Sequence, residues 1–301
     1  MYNINQLKQR IISISKTQKI TYAMRLVAMS LYNRIDRRRA EYTPFLAEIR
    51  SAFKLAMQHK PIHEHIRVSN ETPTQAEIII IVSSSKGLCG GFHEQLRKFF
   101  KLRYKKEGLP QKVIRIGQKT NLIGGALIGS LETIMHHESL TAHTIHHIAE
   151  EIMELIYTQN YKSVRLFSNR FTNFFAYRPS EIILYPLSGL SESDAREQSL
   201  RHLMSYAQKT EANPPPPPFN ETFECEQPLE EIQQQILRQY GISLLTNLLA
   251  ESLIAEQSAR FLSMDAATKN ASSALEKLKL QCNKLRQTLI TREVAELSRT
   301  M

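Results

Sequence analysis

Residues Leu275 to Leu289 read LEKLKLQCNKLRQTL, and the reading of this stretch decides the fold. Leu275, Leu278, Cys282, Leu285 and Leu289 follow steps of three, four, three and four, the spacing of a heptad seam on one side of a helix. Upstream, Ile242, Leu245 and Leu249 begin a similar stripe, and from Leu229 to Met301 there is no proline and one glycine, Gly241. A single helix of roughly 60 to 70 residues, on the order of 100 Å, is therefore allowed. Ala250, Ala255, Ala259, Ala266, Ala267, Ala271 and Ala274 crowd its middle and would let a partner helix approach closely.

The other terminus supplies that partner. Ile4, Leu7, Ile11 and Ile14 recur at steps of three and four, and Ile20, Met24, Val27 and Leu31 continue at helical spacing. The first proline is Pro44 and the next Pro61, so a helix of roughly 50 residues, about 80 Å long, is expected. The two terminal helices are expected to pair as a long antiparallel coiled coil, residues 1–60 against residues 229–301.

Between them the pattern changes to that of an inserted, Rossmann-like α/β domain, expected over residues 74–212. Ile78 to Val82 (IIIIV) is a continuous β-branched run, as for a strand buried on both faces. Lys112 to Ile116, Ser163 to Ser168 and Glu181 to Tyr185 are further candidate strands, and Glu94 to Lys105 and His143 to Tyr157 candidate helices. Parallel strands joined by helices imply right-handed crossovers, with the loops gathered at the strand ends. Asn213 to Pro218 (NPPPPP) reads as extended polyproline, a stiff spacer over residues 213–228.

The net charge of +10 is concentrated: residues 1–60 hold twelve Lys and Arg against three acids. Such a block fits nucleic acid, anionic lipid or an acidic protein surface, and composition does not choose among them. No run approaches the eighteen or so apolar residues of a membrane-spanning helix. The start, MYNINQLKQR, carries no apolar signal core and no Arg/Ser-rich leader, so neither secretion nor organelle import is expected. Cys89, Cys225 and Cys282 are odd in number and far apart, which supports neither a disulfide framework nor a zinc knuckle.

Motifs that could carry chemistry have plainer readings. Ser83 to Gly91 (SSSKGLCGG) follows the first strand as a phosphate loop would, but lacks both the Walker A spacing and the GxGxxG fingerprint. A tight strand-to-helix turn accounts for its glycines. His143 and His147 have a chelating spacing on a helix, yet with His136, His137 and His146 they read as solvated surface histidines, as do His59, His63 and His65. Cys282 occupies a seam position, where a thiol packs as a small apolar group. Arg37, Arg38 and Arg39 are either a solvated face or a contact for an acidic surface. No nucleophile with base and orienting acid is visible, so no catalytic residue, metal site or cofactor site is assigned.

Three segments, in order, resemble one family. Thr17 to Ala28 (TQKITYAMRLVA) resembles the N-terminal signature of the γ subunit of F-type ATP synthases, and Gly87 to Gly91 (GLCGG) its central loop. Glu256 to Ala271 (EQSARFLSMDAATKNA), followed by Asn283 to Gln287 and Ile290 to Glu293, is similar to its C-terminal signature. With Asn169-Arg170-Phe171 and the Pro44 to Phe53 region, the resemblance covers essentially the whole chain. It departs at Ser85-Lys86, where the family usually has Asp-Arg, at His93, where a small polar residue is common, and at the NPPPPP insert.

The resemblance implies a non-catalytic rotor shaft standing inside a hexamer of α and β subunits, with its α/β foot near the ε subunit and the membrane c-ring. That would place it as a peripheral protein on the cytoplasmic face of a bacterial inner membrane, coupling ion transport to ATP synthesis. By position, Lys19, Met24 and Arg25 would lie against acidic loops of the β subunits. Arg260, Arg286, Gln287, Thr291 and Glu293 would meet the upper β loops and the bearing around the shaft, and Phe223 and Glu226 the c-ring and ε. Two other readings compete. A basic coiled-coil adaptor for nucleic acid would show salt-sensitive duplex affinity, and a nucleotide-using enzyme built on Gly87 to Gly91 would bind ATP or NAD as the isolated chain.

Overall fold

The computed structural model describes residues 4–59, 74–104, 112–159, 161–185 and 229–300. Its elements in chain order are α1 (Ile4–His59), β1 (Thr74–Val82), α2 (Phe92–Tyr104), β2 (Lys112–Ile116), α3 (Thr120–Gly124), α4 (Ala126–Gly129), β3 (Glu132–His137), α5 (Ile145–Gln159), β4 (Tyr161–Asn173), β5 (Ala176–Tyr185) and α6 (Leu229–Thr300). The architecture is the expected one, two long terminal helices with an α/β sheet domain between them. Pro44 lies inside α1 and removes one helical donor without ending the helix.

The sheet runs β3-β2-β1-β4-β5. β1 is parallel to β2 and β4, and β2 is parallel to β3. With right-handed crossovers this order puts α2, α3 and α4 on one face and α5 on the other. The burial of β1 follows, since Ile78 to Val82 are all 1% exposed or less. Ile79 and Ile81 share a core with Leu96, Phe100 and Tyr104 of α2, Val113, Ile123, Ile128 and Phe167. Ile78 and Ile80, one step out of phase, face the side of α5, where Ile148, Ala149, Ile152 and Met153 are buried.

Two features of the sheet differ from the sequence expectation. β3 is an additional edge strand, and β5 returns antiparallel to β4 through a hairpin whose tip holds Phe174 and Phe175. One turn has an absolute need for glycine. Gly117 has φ +93°, and a Cβ there would fall on the Ser83 carbonyl oxygen at the end of β1.

Contacts divide the chain into two compact units, residues 1–33, 88–91 and 257–301, and residues 34–87 and 92–256. The second unit contains the sheet together with the C-terminal part of α1 and the N-terminal part of α6. There Phe53 stacks on Tyr240 at 4.6 Å, and Ile49, Phe53 and Leu244 pack against Leu237 and Tyr240. Arg170 of β4 donates to Glu251 of α6 at 2.9 Å, with side chains 18% and 9% exposed. Gly241 lies against α5, where a Cβ would meet the Met153 Cε methyl and displace the end of that side chain. The Tyr42 hydroxyl is buried beside Ser243 and Thr246, and desolvation pushes its pKa up. The polyproline segment, Phe223, Glu226, Cys225, His63 and His65 lie outside the described residues.

Candidate functional site

The first unit is where the terminal helices engage, and three polar contacts set their register. Gln18 Nε2 donates to Ser272 Oγ at 2.7 Å, the Thr21 and Thr268 hydroxyls lie 2.9 Å apart, and Arg25 NH1 reaches Asp265 Oδ1 at 2.5 Å. Positions 18, 21 and 25 on α1 rise while their partners fall from 272 through 268 to 265, so the helices run antiparallel. Both sets step by three and four residues, the spacing of a seam. Polar groups in such a seam add little net stability, but they penalise a slipped register by leaving a donor or acceptor unpaired.

Apolar residues complete this seam. Leu7, Ala28, Met264, Ala271, Leu275 and Leu278 are buried. Further along α6 the burial fades: Cys282 and Leu285 are half-buried and Leu289 is 45% exposed. Extending the register brings Ile4, the first described residue of α1, beside Leu285 and Arg286, so Leu289 lies beyond the described part of the seam. Ile290, Val294 and Leu297, four and three residues apart, continue as exposed apolar side chains on that last stretch.

The resemblance-assigned residues fall into two groups. Lys19, Arg286, Gln287, Thr291 and Glu293 are exposed. Met24, Arg25 and Arg260 are half-buried, and both arginines are engaged within the chain: Arg25 also sits 4.9 Å over the Tyr22 ring, and Arg260 donates to Gln257 at 2.8 Å. Asp265 receives Lys269 at 2.8 Å as well as Arg25, and these two hydrogen bonds hold its carboxyl below the ordinary range. Asp265, Thr268 and Ser272 were not singled out by reading for apolar periodicity. Their signal was the matched three-and-four spacing of polar residues on both termini.

The glycine-rich loop after β1 is a structural turn at its start. Ser84 Oγ donates to the Lys86 carbonyl at 2.5 Å and lies 2.8 Å from His93 Nε2, so the hydroxyl is spent on closing the loop. Leu88 and Gly90 have φ of 67° and 56°. Residues 88–91 belong to the helix-pair unit, where the missing Gly90 side chain would stand 3.7 Å from Ser263 Cβ of α6. In the sheet unit, Asn169 Nδ2 donates to the Phe92 carbonyl and fastens the first turn of α2 to β4.

Comparison with known proteins agrees with this geometry. A family model described as ATP synthase matches residues 3–299. The chain is 29% identical to an ATP synthase gamma chain of Acinetobacter baumannii, over 99% of this chain and 98% of that one. It is 29% identical to the gamma chain of Nitrosococcus oceani, over 97% and 96%. Among solved structures it is similar to a chain of the central stalk and c-ring of the Tetrahymena thermophila mitochondrial ATP synthase (TM-score 0.55, 20% identity, 82% of this chain and 99% of that one). A chain of the Euglena gracilis mitochondrial enzyme, in a structure of OSCP, F1 and c-ring, has TM-score 0.59 and 14% identity over 99% and 93%. The chain belongs to the ATP synthase family, the one that these gamma chains share.

Proposed function

We propose that this chain is the non-catalytic rotor shaft of an F-type ATP synthase, working on the cytoplasmic face of a bacterial inner membrane. The observation that carries the reading is the antiparallel lock of α1 on α6 at Gln18–Ser272, Thr21–Thr268 and Arg25–Asp265. A shaft must resist sliding of one helix along the other, and paired polar contacts at successive turns supply that resistance. In this reading residues 1–60 and 229–301 form the shaft, 74–212 the foot, and 213–228 a spacer.

Coupling is then a difference in contact energy. An asymmetric shaft presents a different face to each of three chemically identical catalytic sites, and rotation changes which β conformation is favoured, and with it nucleotide affinity. The exposed apolar side chains Ile12, Ile20, Leu26 and Val27 on α1, and Ile290, Val294 and Leu297 on α6, support a surface that works inside an enclosing partner. Lys19 would meet acidic β loops directly, while Arg25 and Arg260 would act largely by fixing helix geometry. Arg286, Gln287, Thr291 and Glu293 would meet the bearing, and Phe223 and Glu226 the c-ring and ε.

Reconstitution tests the proposal. α and β subunits assembled with this chain, on membranes carrying the c-ring, are expected to pump ions at the expense of ATP. Unchanged assembly and cooperativity of hydrolysis without the chain would refute it. Lys19→Glu with Arg286→Glu is expected to lower pumping several-fold while the isolated chain stays folded.

A further inference from the structure

The tip of the β4–β5 hairpin breaks the usual rule for its turn. A tight connection between antiparallel strands normally carries Asn, Asp or Gly, which accept its backbone angles. Here Phe174 and Phe175 make the turn, between Asn173 and Ala176, which are paired in the sheet register. Asn173 Oδ1 accepts from the Phe175 amide at 2.9 Å, so the turn is held, and the two rings meet edge to face at 5.4 Å. Phe175 is nonetheless 77% exposed, more than any other large apolar side chain among the described residues.

The charge around the tip is equally uneven. Tyr161 to Ser180 holds four cations, Lys162, Arg165, Arg170 and Arg178, and no acid. Three have a carboxylate elsewhere in the chain: Lys162 meets Glu77 at 3.8 Å, Arg165 meets Glu181 at 3.2 Å and Arg170 meets Glu251 at 2.9 Å. Arg178, opposite Arg170 in the register and on the far side of the turn, is exposed and makes no ion pair among the described residues.

We propose that this tip docks a short acidic segment of a partner protein, with Phe175 entering an apolar recess and Arg178 meeting a carboxylate beside it. The inference rests on the rotor reading for the assembly that holds the partner, and adds to it the place and chemistry of one contact. An aromatic ring already held by its turn has few torsions left to freeze, so it supplies the larger share of such a contact. An exposed ion pair adds little energy but selects the sign of the partner's charge. One unpaired cation is too few for the alternatives. A nucleic acid backbone is held by neutralising several phosphates, and an anionic bilayer by a cluster of Lys and Arg.

The test uses the complete ATP synthase assembled around this chain, with Phe175→p-benzoylphenylalanine as photocrosslinker and mass spectrometry of the adducts. An adduct is expected to a protein segment of net negative charge that carries a large apolar side chain, and its yield is expected to fall several-fold when Arg178→Glu is added. Phe175→Ala should leave the melting temperature of the isolated chain unchanged and speed its release from the complex about tenfold. An adduct on lipid, nucleic acid, a basic segment or a second copy of this chain would overturn the docking site and leave the rotor reading standing. No adduct, an equal yield with Arg178→Glu, or unchanged release of Phe175→Ala would do the same. A chain that never enters the complex would refute the rotor reading, and the docking site with it.

Discussion

Arg25 of α1 and Asp265 of α6, 240 residues apart in sequence, form an ion pair at 2.5 Å, and Lys269 closes on the same carboxylate one turn further along α6. The pair does two jobs: it neutralises an acid within the helix pair, and it fixes one terminus in register with the other.

Reversing the Arg25 charge alone therefore confounds shaft geometry with surface charge. Arg25→Asp is expected to weaken helix pairing by setting two carboxylates face to face, and the double variant Arg25→Asp with Asp265→Arg to restore most of it. Thermal melting of the two chains measures this, and ATP-driven pumping separates any remaining surface effect.

The same carboxylate sets an acid response. Because Lys269 and Arg25 hold Asp265 below its ordinary range, its contribution is full above about pH 4 and is lost as pH falls further, through its value in the folded chain. Asp265→Asn should flatten that part of a stability-against-pH profile and leave the neutral region little changed in slope.

Glu251 is the most exacting contact of α6 with the sheet. It accepts from Arg170 at 2.9 Å and from Asn247 at 3.3 Å while 9% exposed. Removing it takes one carboxylate from the half-buried Arg170 guanidinium, so Glu251→Ala is expected to cost about 2 to 3 kcal/mol, measured by urea denaturation. Replacing both Glu251 and Arg170 by Met should cost much less.

Tyr42 points the other way. Its hydroxyl is buried near Ser243 and Thr246 but makes no hydrogen bond of acceptable geometry. Tyr42→Phe removes that desolvated group and is expected to stabilise the chain by about 1 kcal/mol, read as a higher denaturation midpoint.

At Gly117, alanine would combine positive-φ strain with a clash on the Ser83 carbonyl. Gly117→Ala is expected to cost about 2 kcal/mol or more, read from the same denaturation curves.

Much of the fold was legible because its periods are strong. The β-branched IIIIV run fits a doubly buried strand, as β1 is, and the absence of proline across residues 229–301 allows one helix, seen as Leu229–Thr300. β3 escaped because ETIMHH is an edge strand in which two histidines and a glutamate hide the alternation. The first half of β5 escaped because Pro179 argues against a strand, yet an edge position paired with Asn169 tolerates it. Leu289 looked like seam because its spacing is right. Periodicity cannot reveal where the opposite helix begins.

The candidate site was less legible. Its residues were placed by likeness to a family, and spacing alone does not distinguish Lys19, exposed, from Arg25, already paired. The histidines were read as solvated surface groups. His137 is instead half-buried against Glu151, a contact that depends on the unforeseen strand β3.

The most direct measurement is single-molecule rotation of this chain in an immobilised hexamer of α and β subunits, with a bead fixed to the exposed Lys101 of α2. ATP-dependent, unidirectional turning with three dwells per turn is expected, abolished when the helix pair is stapled to a β subunit. A bead that stays still while the same complexes hydrolyse ATP at full rate would contradict it.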